Sequence, residues 1–181
     1  MKKNKNRLGY IVSGFSEKSC CYAVLFFTCY LSFFSSMALA EEPAYLTKIE
    51  TLLKSDKAPE GVVFEIINRN VLFLNWAMPE VSKQSERLRK KFPGLDIAVV
   101  SHGREMFALT GKNQSENPGL KTQVDSLVSQ QIPVYVCGTY AERKGVSDAE
   151  FPENIRVAAE GPSQIKDYIN LGYTHILLNM N

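Results

Sequence analysis

The sequence predicts an α/β domain, three layers deep around a mostly parallel sheet of about five strands. Short apolar, β-branched runs alternate along the chain with helical segments of roughly ten residues. One run, Leu95-Asp-Ile-Ala-Val-Val-Ser101, is almost continuously apolar, the mark of a strand covered on both faces. Each parallel pairing needs a crossover, and helical crossovers are what cover such a sheet. Right-handed crossovers leave a few doubly wound strand orders, among which the sequence does not choose.

The first 40 of the 181 residues read as an export signal. Lys2, Lys3, Lys5 and Arg7 precede an apolar run over 20–34, and Ala38 and Ala40 supply the small residues of an A-x-A site, so cleavage is expected after Ala40. The alternative is an uncleaved membrane anchor, because counting residues 37–39 stretches the apolar segment to roughly the 20 residues of a spanning helix. Residues 41–60 then make an N-terminal helix and connector, with Leu46, Ile49, Leu52 and Leu53 at helical spacing, and residues 61–181 make the α/β domain.

Within that domain, residues 62–67 form the first strand, bounded by Gly61 and Asn68. Phe73, Ala77, Val81, Leu88 and Phe92 recur at intervals near four, with Ser85 in the gap, and mark an amphipathic helix that kinks at Pro79 or starts near it. Residues 95–101 form the second strand, a short helix covers 104–109, and 111–119 read as a polar loop. A helix over 120–130 turns Val124, Leu127 and Val128 inward. A strand over 133–137, a helical turn over 146–150 and a strand over 155–158 follow. Ser163 caps a helix over 163–171 that buries Ile165 and Ile169 and stops at Gly172, and 174–178 give the last strand.

Formal charge excludes one class of partner. The whole chain is +2, but the leader holds five basic residues and one acidic one, leaving sixteen basic against eighteen acidic in the remainder, a net −2. No compositional argument for a nucleic-acid partner survives. Three of the four cysteines, Cys20, Cys21 and Cys29, fall in the leader. Only Cys137 remains, so the mature chain has no internal disulfide.

In open parallel sheets, chemistry gathers beyond the carboxyl ends of the strands. His102 closes the second strand and Cys137 the third. If those strands are neighbours, imidazole and thiol open onto one crevice, with Gly103 and Arg104 beside the histidine. Gly138 permits close approach of a partner, the amides of Gly138 and Thr139 are placed to bond a thiolate, and Arg143 and Lys144 offer positive charge, against the negative charge of Glu142. The competing reading is a packed cysteine acting as a small hydrophobe and a His102 that caps backbone groups. Arg104 and Glu105 either line the crevice or begin an exposed helix, the latter following from the rule that charges face solvent. The charges of residues 86–91 form a solvated helix face, Trp76 is a core aromatic, and Tyr140 belongs to the core or an interface. With His102 and His175 the only histidines, no histidine-rich metal site is expected, and no cofactor. The chain carries no C-x-x-C, G-x-S-x-G or G-x-x-x-x-G-K-[ST] motif.

The segment Val136-Cys-Gly-Thr-Tyr-Ala-Glu-Arg-Lys-Gly-Val146 resembles the motif of the DsrE/DsrF-like family, which includes the TusD-type sulfur-relay proteins. There a strand ends on a cysteine, and an arginine, a basic residue, a glycine and an aliphatic residue follow from the sixth position on. Cys137, Arg143, Lys144, Gly145 and Val146 occupy those places. Val99-Val-Ser-His-Gly103, Glu160-Gly-Pro162 and Leu171-Gly-Tyr-Thr-His-Ile176 are similar too, so the resemblance spans 61–178. It implies a Rossmann-like domain, assembly into homotrimers, homohexamers or related hetero-oligomers, and a Cys137 that accepts sulfane sulfur as a persulfide and passes it on. The well-understood relay members are cytoplasmic, so their donors and acceptors do not carry over to an exported chain.

The expectation is therefore an exported thiol-based sulfur carrier or sulfurtransferase, periplasmic or secreted, a homotrimer or homohexamer, meeting sulfur donor and acceptor proteins but no nucleic acid and, after cleavage, no membrane. The alternative is a noncatalytic oligomeric module that holds a small anionic ligand around His102 and Arg104. A thioredoxin-like oxidoreductase is disfavoured, because a lone cysteine cannot close an internal disulfide.

Overall fold

Five apolar runs bounded by glycine, proline and asparagine become five strands in the computed structural model, which describes residues 42–179. The leader and its cleavage site lie outside the described residues. Helix α1 (Ala44–Lys54) and the connector after it fill the segment expected as helix and connector, and α1 buries Tyr45 and Ile49 in the main core, so this segment packs into the domain. Strand β1 (Gly61–Ile66) follows, and Ile67, expected to end it, is exposed. A 3-10 turn (Val71–Phe73) leads into α2 (Leu74–Lys91), with the Asn70 side chain accepting from the Leu72 N–H.

Helix α2 does not start at Pro79 but runs through it. The donor that Pro79 lacks would have gone to the carbonyl of Asn75, and both residues are exposed, so water can replace it. The buried stripe of α2 follows the sequence spacing and includes Ser85, whose hydroxyl has no partner among the described residues. Strand β2 (Ile97–Ser101) is buried throughout, and a 3-10 helix (Arg104–Leu109) follows.

The expected polar loop over 111–119 is helical instead. Thr110 accepts from the Asn113 N–H to cap α3 (Gly111–Glu116), and Asn117 accepts from the Leu120 N–H to cap α4 (Pro118–Ser129), whose proline occupies the first turn. Strand β3 (Val134–Cys137) runs directly into α5 (Gly138–Arg143). A 3-10 turn (Asp148–Glu150) closed by a Ser147–Glu150 capping box leads to β4 (Ile155–Ala158). Helix α6 (Gly161–Asn170) starts before Ser163, which donates to Glu160 Oε2 at 2.9 Å rather than capping. Gly172, at φ +87°, ends the turn into β5 (Tyr173–Leu178).

The sheet order is β4-β3-β2-β1-β5, and every pairing is parallel. Winding proceeds outward from β1 to β4, then returns across the sheet so that β5 lies on the far side of β1. One face carries the main core, with Phe64, Ile66, Val99, Val136 and Ile176 set against α1, α2 and α4. The other face carries α6, which crosses β5, β1, β2 and β3 over Val63 and Val100. Ile165 joins that small core, but Ile169, expected inward, is 46% exposed. Tyr135, Tyr168 and Tyr173 rim it, and Arg156 Nη1 donates to the Tyr135 hydroxyl at 3.0 Å. The result is a Rossmann-like three-layer α/β domain. Among the described residues no helix is long and apolar enough to cross a membrane.

Candidate functional site

Strands β2 and β3 are neighbours, and Ser101 pairs with Val136. The next residues along, His102 and Cys137, therefore lie close together at the strand ends, with Cys137 also packed into the main core. Both lie against the first residue of α6. A Cβ placed on Gly161 would stand 2.6 Å from His102 Cβ and 3.3 Å from Cys137 Cβ. Glycine is thus what lets the helix start here, and its positive end favours negative charge at this point. Cys137 is a free thiol, 5% exposed.

The α6 face carries a charged network that spans three strands. Glu65 of β1 accepts from His102 Nε2 at 2.7 Å and from His175 Nε2 of β5 at 2.5 Å. The hydrogen bond from His102, then that from His175, holds the Glu65 carboxyl down to about 2, against the desolvation that opposes it. A carboxylate only accepts, so both imidazoles carry hydrogen on Nε2. In the neutral ring of His102, the free basic nitrogen is then Nδ1, bonded to the Cγ that lies 3.2 Å from the Cβ position of Gly161.

The remaining expected site residues divide. Gly103 is buried, and a Cβ there would meet the Asn68 backbone at 2.7 Å. Glu105, expected to line the crevice or to begin an exposed helix, is fully buried: it accepts from the Asn68 N–H at 2.6 Å, the Ser101 hydroxyl at 2.8 Å and the Gly103 N–H at 2.9 Å, and so clamps the ends of β1 and β2 together. Its neighbour Arg104 is exposed. The Thr139 amide, expected to face a thiolate, donates to Ala159 O at 3.0 Å, and its hydroxyl does so at 2.7 Å. Arg143 and Lys144 lie over the Tyr140 ring, each 5.7 Å from its centroid. An open groove of ≈ 770 Å³ begins one residue beyond Cys137, lined by Gly138, Thr139, Glu142, Val146 and Asp148 among others. Its two carboxylates make it a poor seat for an anion.

Sequence reasoning reached Cys137 and His102 but not Glu65 or the role of His175. The available signal was a carboxylate inside the otherwise apolar run Val62-Val-Phe-Glu-Ile-Ile67. A charge in a covered central strand needs partners. Among the described residues, no group of three or more His, Cys, Asp or Glu side chains is placed to hold a metal ion.

The profile of the DsrE/DsrF-like family matches residues 68–178. Among solved structures, a protein of unknown function from Methanobacterium thermoautotrophicum, MTH1491, superposes with a TM-score of 0.54 at 18% identity, over 65% of this chain and 97% of its own. The ychN protein from E. coli does so with a TM-score of 0.46 at 14% identity, over 65% of this chain and 99% of its own. At such identities the first likeness speaks for the fold alone. No curated protein matches the chain.

Proposed function

Because the chain belongs to the DsrE/DsrF-like family, we propose that it is a thiol-based sulfur carrier or sulfurtransferase that holds sulfane sulfur as a persulfide on Cys137. The single observation that carries this reading is the meeting of Cys137, His102 and the first turn of α6 at the carboxyl ends of β2 and β3. Thiol exchange needs a thiolate and a donor sulfur with a good leaving group, and a second cysteine is not required. The positive end of α6 and a tethered imidazole supply a setting for that thiolate. Mass spectrometry after polysulfide treatment tests the reading: the mature chain gains sulfur on Cys137, and Cys137→Ser gains none. An unmodified Cys137 after such treatment would refute it.

The protein is further proposed to be exported, cut after Ala40 and assembled as a homotrimer or homohexamer, with donor and acceptor proteins as its partners. The charged leader and the A-x-A site support export. Intact mass of protein from the periplasmic fraction is expected to give a chain that begins at Glu41.

A second reading rests on the 5% exposure of Cys137. In it the thiol is packed and the fold serves as a noncatalytic binding module for a small anion. Rapid alkylation of native protein at Cys137 favours the carrier, and resistance to alkylation until unfolding favours the module.

A further inference from the structure

We propose that Glu65 and His175 are positioning residues for His102, holding it as the base that takes the proton of Cys137. The inference rests on reading Cys137 as a sulfur carrier and names what activates it. Glu65 stands on β1, the strand flanked by β2 and β5, and bonds both histidines. Each of its oxygens is occupied, Oε1 by His102 and Oε2 by His175, so the carboxylate cannot rotate to release either ring. His102 is thereby fixed with Nε2 as donor and Nδ1 as acceptor, with its Cβ and Cγ against Gly161, whose Cβ position also lies 3.3 Å from Cys137 Cβ.

The fold itself has little use for this network. A charged group on a central strand is costly unless paired, and an apolar side chain would serve β1 better. The other buried carboxylate near the strand ends, Glu105, is fully engaged by Asn68, Ser101 and Gly103. Glu160, which precedes α6, accepts from Ser163. Glu65, with His175 behind it, is the charged group that bonds the His102 ring.

The step balances without an oxidant. The Cys137 S–H bond breaks and its proton passes to His102 Nδ1, giving an imidazolium beside the Glu65 carboxylate. The thiolate attacks a terminal sulfur of a polysulfide. One S–S bond forms at Cys137 Sγ as one breaks in the donor, and the departing sulfide chain leaves with the electron pair and takes the proton back from His102.

The test is the rate of Cys137 alkylation by iodoacetamide across a pH series, for the full mature chain and for Glu65→Gln, His175→Gln, His102→Gln and the Glu65→Gln/His102→Gln double variant. A positioned base acts by roughly 10²–10⁴-fold, and loosening it is expected to slow alkylation near neutral pH on the order of tenfold in Glu65→Gln, with the profile displaced. His175→Gln, which keeps an N–H donor, slows it less. In the His102→Gln background, Glu65→Gln has no further effect, because Glu65 acts through His102. The proposal is overturned if folded Glu65→Gln alkylates at the wild-type rate at every pH, or slows equally with and without His102. If Glu65→Gln does not fold, an unchanged profile in His175→Gln overturns it instead. Sulfur uptake from polysulfide, measured by mass on the same samples, separates the two readings: an alkylation profile that depends on Glu65 without sulfur uptake refutes the carrier and leaves the positioning intact.

Discussion

At the scale of single residues, Glu65 joins two imidazoles and Gly161 lets the start of α6 lie against His102 and Cys137. Glu65 makes acid sensitivity specific. Its carboxyl lies at about 2 in the folded protein, below the ordinary 4.5, so the stability it contributes is complete above about pH 4.5 and is lost as pH falls toward 2. Glu65→Gln is expected to cost on the order of 2 kcal/mol at neutral pH, with the gap from wild type closing in acid; urea denaturation at several pH values measures it. Gly161→Ala is expected to cost about 1–3 kcal/mol, because its Cβ would stand 2.6 Å from His102 Cβ, and a thermal melt reads the loss. Cys137 and His102 were legible in the sequence because strand ends are legible. Glu65 was not, because its meaning depends on which strands flank β1, and only the folded sheet supplies that.

At the scale of elements, the strands were readable and the helix ends less so. Apolar β-branched runs announce covered strands whatever surrounds them, and all five were found near their true bounds. Helix α3 escaped because it is only six residues long and, Gly111 apart, entirely polar. It forms because Thr110 caps it, and because buried Gln114 donates to Leu109 O at 3.1 Å. Helix α6 meets the sheet along Gly161, Ile165 and Tyr168, and Ile169 falls off that stripe. Spacing alone does not tell which of two adjacent apolar positions faces inward. Helix α2 offers an independent test. Ser85 is buried with no partner for its hydroxyl among the described residues, so Ser85→Ala is expected to leave stability unchanged or raise it by up to about 1 kcal/mol.

At the scale of the molecule, the two faces of the sheet are unequally furnished. The main core lies on one side, and α6 covers the other while leaving His175 29% exposed. Strands β1, β2 and β3 are bonded on both sides, whereas β4 is a short edge. Amide exchange is expected to be slowest in β1 to β3 and fastest among the strands in β4, and a native-state hydrogen-exchange series checks that order. The place of β5 has a temporal side. It is the last strand to be made, yet it docks beside the first and brings His175 to Glu65. Until β5 is made, the Glu65 carboxylate lacks the His175 bond, one of its two clasps. The site is therefore finished late, and a partly made chain presents an unfinished one.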